Sequence, residues 1–162
     1  MNILVLGLGN SLLSDEGVGV RIVEALEAGF SLPDQVELVD GGTTGMELFD
    51  IVADRDCVIV ADAVKASKAP GSVIRLENDD IRVIFETHFS PHQLGLSDLL
   101  AALRLVDKAP SRVLVIGVVP ESLELGLDLS PSVAAGRDQA VAMIVKELGT
   151  LGIQPVPKAA GG

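Results

Sequence analysis

The stretch Asn2–Val20, "NILVLGLGNSLLSDEGVGV", decides the fold class. Its first part, Ile3–Leu6, is apolar without alternation, the pattern of a strand buried on both faces of a parallel sheet. Gly7 and Gly9 then punctuate a turn. Beyond it Val18, Ile22, Ala25, Leu26 and Gly29 recur at helical spacing until Ser31 and Pro33 break the pattern. Strand, glycine turn and helix open many nucleotide-binding domains. A dinucleotide fingerprint, however, needs a third glycine for close helix–strand packing and a helix N-terminus free for pyrophosphate. Leu12 stands where that glycine belongs, and Asp15 and Glu16 would repel phosphate. Both acids complement the positive end of a helix dipole. The loop therefore suits a cation or a polar peptide.

Working outward, Val58–Ala61 and Val113–Val119 are two more continuous apolar runs, and Gln35–Asp40 reads as a further strand. Ser72–Asn78 alternates, which predicts a strand at a sheet edge. Met46–Val52 suggests a short helix. Leu96, Leu99, Leu100 and Leu103 define another helix, and Ala134, Val141, Ile144, Val145 and Leu148 a long final one. Ser90-Pro91 and Ser130-Pro131 each combine an N-cap hydroxyl with proline at the first helical position. The order β-α-β-α-β-β-α-β-α predicts an α/β fold. It is expected as a single-domain three-layer sandwich, with a mostly parallel five-stranded twisted sheet and helices on both faces. Residues 1–150 are expected to form that domain and residues 151–162 a flexible C-terminal tail, with Pro155–Gly162 frayed.

Composition removes several function classes. The chain has 162 residues, with 23 Asp plus Glu against 12 Lys plus Arg, a formal net charge of −11. That balance repels phosphate backbones and anionic lipid, so neither nucleic acid nor a membrane surface is expected as partner. With four Phe and no Trp or Tyr, stacking on bases is poorly served. The single cysteine, Cys57, lies in the apolar run "CVIVADA" and is expected as a buried strand thiol. No apolar run reaches the roughly 18 residues of a membrane span, and the first residues lack the basic and cleavage features of a signal peptide. The cytoplasm is the expected location.

Ligands of open parallel sheets bind beyond the carboxyl ends of the strands. There the sequence puts Asp15 and Glu16, then Asp40-Gly41-Gly42-Thr43, then Asp62, then Gly117–Glu121. Taken singly, Asp15 and Glu16 are ordinary helix-start acids, Asp62 a strand-end turn residue and Asp40 the head of an Asx turn. Taken together they are carboxylates that repel one another unless a positive charge arrives. Of the two histidines, His92 falls in the first turn of a helix, where the dipole disfavours imidazolium and leaves a neutral ring able to bind metal. His88 falls in the preceding loop and reads as a surface residue. Two acids and an imidazole form an N/O donor set with open positions, suited to Ni, Zn or Mn. No Gly-x-Ser-x-Gly elbow exists. A phosphoacceptor receiver would need a lysine where Val119-Pro120-Glu121 stands.

These residues, in this order, resemble the hydrogenase maturation proteases. The resemblance runs from Ile3 to about Leu148 and rests on five segments. They are Gly7-x-Gly9-Asn10 with Asp15-Glu16-Gly17-x-Gly19, Asp40–Thr43, Ala61-Asp62-Ala63, His92-x-x-Gly95-Leu96-x-Asp98-Leu99-Leu100, and Ile116-Gly117 with Pro120. It implies an endopeptidase that removes a C-terminal extension from the large-subunit precursor of a nickel–iron hydrogenase. Glu16, Asp62 and His92 would be its catalytic, metal-contacting residues, and Asp40, Gly41, Gly42 and Thr43 would lie beside the peptide. The nickel would arrive within the precursor, with no resident organic cofactor. Two other readings stay open: a non-catalytic metal- or nucleotide-binding α/β module, and a metallopeptidase with a resident zinc.

Overall fold

The computed structural model of the chain describes residues 1–78, 80–81 and 91–159, of which 91–95 by their backbone alone. Its elements in chain order are β1 (Ile3–Leu8), α1 (Val18–Gly29), β2 (Phe30–Ser31), β3 (Val36–Gly42), α2 (Phe49–Val52), β4 (Cys57–Ala63), β5 (Val73–Glu77), α3 (Pro91–Leu105), β6 (Arg112–Val118), α4 (Pro131–Thr150) and β7 (Val156–Pro157). Single 3-10 turns at Ser14–Gly17 and Met46–Leu48 lead into α1 and α2. The main sheet has the order β3-β1-β4-β6-β5. Its first four strands are parallel, and β5 closes one edge antiparallel to β6.

The apolar runs end up where their patterns demand. Every residue of β1 and β4 is buried, while the alternating β5 lies at an edge. Side chains of successive residues leave opposite faces of a strand. Ile3, Val5, Ile59, Ala61, Leu114 and Ile116 pack with Val18, Ile22 and Leu26 of α1 and with Val133, Ala140 and Ile144 of α4. Leu4, Leu6, Leu8, Val58, Val60 and Val115 pack with Leu48, Val52 and the α3 leucines Leu96, Leu99, Leu100 and Leu103. This is the expected three-layer α/β sandwich with a mostly parallel five-stranded sheet. Cys57 is buried, as anticipated, and burial pushes its thiol pKa up. On the β5 edge, Arg75 binds Glu147 of α4 and Glu77, and Arg112 binds Glu77, which ties the last helix to the sheet.

Three expectations change. The strands run further than their apolar cores: β3 takes in Gly41 and Gly42, and β4 takes in Asp62 and Ala63, because backbone pairing continues past the hydrophobic stretch. The segment after residue 150, expected as a free tail, is packed as far as Lys158. Ile153 joins the core, Val156 and Pro157 pair antiparallel with Ser31 and Phe30, and the Lys158 N–H donates to the Gly29 carbonyl at 2.9 Å. Finally, the Ser130 hydroxyl does not cap α4, although Pro131 does occupy its first turn. The paired Ser90 lies outside the described residues.

Candidate active site at the carboxyl ends of the strands

Glu16 is held in place by glycines. At the end of β1 the chain turns at Gly9, whose φ is +124°. A Cβ there would stand 2.0 Å from the Glu16 carbonyl oxygen, so only glycine lets the Ser14–Gly17 turn sit on the strand end. One turn further, a Cβ on Gly19 would lie 2.1 Å from the carbonyl oxygen of Ala61 and 2.4 Å from that of Leu8. Gly19 thus does the close helix–strand packing that Leu12 cannot. The start of α1 is drawn down onto β1 and β4, and Glu16 emerges half-buried above them.

Asp62 comes from the neighbouring strand. Ala61 pairs with Gly7 of β1, and Asp62 itself pairs with Gly117 of β6. It is fully buried, and its Oδ1 accepts the Ala63 N–H at 2.8 Å. Alternation along β4 puts its side chain on the face of Val58 and Val60, which is the α3 face. The far end of α3 is tied to the opposite end of the sheet, where Lys108 O accepts the Asp54 N–H just before β4. A helix of 15 residues spans about 22 Å, close to the length of a seven-residue strand. Its first turn, with the backbone of His92, is therefore the end of α3 remote from Lys108. The side chain of His92, and His88 entirely, lie outside the described residues. Among the described residues, no three His, Cys, Asp or Glu side chains converge as a metal-holding group.

The Asp40–Thr43 turn borders the same edge. Gly9 N–H donates to Gly42 O at 2.8 Å, which joins the ends of β1 and β3. Asp40 Oδ1 accepts the Gly42 N–H at 2.9 Å, a local Asx turn. Asp40 and Thr43 are exposed, and Gly42 has open space around its Cα at a φ of +55°. Gly41 instead faces inward against Leu6, Leu8 and Leu48.

Asp15 has a different role from the helix start expected of it. It is fully buried, and its carboxylate turns away from α1 toward the loop between β6 and α4. Oδ2 accepts the N–H groups of Glu121 and Ser122 and the hydroxyl of Ser130, while Oδ1 accepts the Ser130 N–H, all at 2.8–2.9 Å. Burial alone would raise its pKa. The hydrogen bonds from Ser122, Ser130 and Glu121 outweigh that and hold it below the ordinary carboxylate value. The Ser130 hydroxyl is spent on Asp15, which is why it does not cap α4. Spacing could not reveal this clamp, because its partners lie more than 100 residues away.

Glu16 on the turn above β1 and Asp62 near the end of β4 do not by themselves name a family; similarity to known proteins does. A family model described as hydrogenase maturation protease matches residues 20–147. The hydrogenase 2 maturation protease of Escherichia coli K12 is 47% identical over 161 residues, covering 99% of this chain and 98% of that one. The chain belongs to the hydrogenase maturation protease family. An E. coli hydrogenase maturating endopeptidase superposes with a TM-score of 0.94 at 47% identity, covering 98% of each chain. A Thermococcus kodakarensis [NiFe] hydrogenase maturation protease gives 0.77 at 27%, covering 91% of this chain and 99% of its own. A hydrogenase maturation protease is a peptide-bond hydrolase, so the non-catalytic module is set aside. No helix among the described residues is long and apolar enough to cross a membrane.

Proposed function

We propose that this hydrogenase maturation protease is a cytoplasmic endopeptidase that removes the C-terminal extension of a nickel–iron hydrogenase large-subunit precursor. Nickel already seated in the precursor is recognised by Glu16, Asp62 and His92. What supports this reading is that the Ser14–Gly17 turn, which carries Glu16, sits on the end of β1, while Asp62 lies near the end of the neighbouring strand β4. Two hard oxygen donors and one imidazole leave coordination positions open, and no thiolate stands there to hold a metal tightly at rest. Nickel bound by the precursor fills those positions with its own ligands, and its charge offsets the repulsion between the carboxylates. The shared metal also fixes the scissile segment beside the site, which lowers the entropic barrier to reaction. Asp40, Gly42 and Thr43 border the path of the peptide, with Gly41 supporting them from the core side. The test is incubation with purified precursor, with and without nickel, followed by mass measurement. A shortened nickel-loaded chain is expected; an unchanged one refutes the reading.

A further inference from the structure

A metal contact and a short turn leave most of a folded precursor untouched, and the surface beside Glu16 shows where more contact is made. The segment Glu121–Leu129 reads "ESLELGLDL", with leucine at every second position. Leu129 packs against the core, but Leu123, Leu125 and Leu127 are 40%, 85% and 62% exposed, and Leu12 of the facing loop is 55% exposed. These four are nearly half of the large apolar side chains exposed anywhere among the described residues. They do not sit on a loose loop. Ser14 N–H donates to Gly126 O at 2.9 Å, Gly126 N–H to Leu12 O at 2.8 Å, and the Ser14 hydroxyl to Glu124 O at 2.7 Å. With the Asp15 clamp, these bonds join the two loops into one ridge that leads along the chain into Glu16. At its far end Leu127 borders a hollow of 530 Å³. The hollow's two arginines are already engaged, Arg21 with Glu24 and the Leu127 carbonyl, Arg137 with Asp138.

We propose that this leucine ridge is the docking surface for the folded body of the precursor, seated while its extension enters the site. Leucines carried on a hydrogen-bonded backbone spare the backbone part of the entropy cost of binding, and exposed apolar side chains gathered on linked loops mark an interaction site. Glu121, Glu124 and Asp128 are exposed between the leucines, in a chain of net charge −11. The matching face on the precursor is therefore apolar with a basic rim, and its binding weakens with salt. This deepens the proposed function and rests on it.

The experiment measures both calorimetric binding and cleavage of the purified nickel-loaded precursor by the full-length protease. Leu125→Glu and the double variant Leu12→Glu/Leu125→Glu are compared with wild type and with Leu105→Glu. Leu105 is 87% exposed at the opposite end of the sheet and serves as the control. The ridge variants should bind about tenfold or more weakly, with KM raised and kcat within about twofold, while Leu105→Glu changes neither. Unaltered binding by the double variant, alongside normal wild-type cleavage, overturns the ridge and leaves the protease reading standing. An equal loss in Leu105→Glu also overturns the ridge. A wild-type protein that neither binds nor cleaves the precursor overturns both.

Discussion

Asp15 and Glu16 are adjacent in sequence and opposite in role, which makes them the sharpest test at the scale of the residue. Glu16→Gln, at a half-buried side chain, should move stability by no more than about 1 kcal/mol, and with Asp62→Asn, which also keeps side-chain volume, should abolish processing. His92→Ala should do the same, and His88→Ala should leave processing intact; the reverse result would transfer the role to His88. Asp15→Ala should cost about 3 kcal/mol or more in chemical denaturation. It strands the part-buried Glu121, Ser122 and Ser130 N–H groups, and a donor left unpaired away from water costs roughly 1–3 kcal/mol. Asp15→Asn retains an acceptor and should cost less. Because the folded-state pKa of Asp15 lies below its ordinary 3.8, the charged form stabilises the fold above that value and its contribution fades as pH falls. The stability gap between wild type and Asp15→Asn should accordingly be full near neutrality and close below about pH 4. A gap independent of pH would show that charge plays no part in the clamp.

Among the elements, the junction of β1, α1 and β4 depends on atoms that are missing. Gly19→Ala should lower the melting temperature sharply, since its Cβ would meet the backbone oxygens of Ala61 and Leu8, which cannot swing aside. Gly29→Ala, at the far end of the same helix and facing open space, should be neutral or stabilising by up to about 1 kcal/mol. Equal losses at both positions would refute the close-packing account. Gly42→Val should lower processing more than it lowers stability. The positive φ costs roughly 1–2 kcal/mol for a side chain, but the added bulk stands in open space at the proposed peptide path. Normal specific activity with a large stability loss would mark that turn as purely structural. The helices and central strands were legible because their burial is continuous or periodic. Less legible was the extent of β3 and β4, where backbone pairing carries Gly42 and Asp62 beyond the last apolar residue.

For the whole molecule, the decisive property is where the metal resides. If the nickel belongs to the precursor, dialysing the protease against chelator should not slow its action on nickel-loaded precursor. Nickel-free precursor should then resist even excess protease. Efficient cleavage of nickel-free precursor by metal-free protease would place the chemistry on the carboxylates alone. Zinc recovered in equal amount with the purified protease would favour a resident metal.

The sequence by itself determined the layers, the strand and helix order, the acidic net charge and the strand after which each candidate carboxylate falls. All of these follow from local periodicity and from the rule that parallel strands present their carboxyl ends together. Its ordered motifs also carried the family. Only the tertiary structure decided that Asp15 braces a loop more than 100 residues away, and that Gly19 does the work of a third glycine. It alone showed that the chain after residue 150 packs back against α1 and β2. Each of these is a contact between segments distant in sequence. Residue type and spacing specify what a side chain can bind, but the folded backbone chooses which of its possible partners comes within reach.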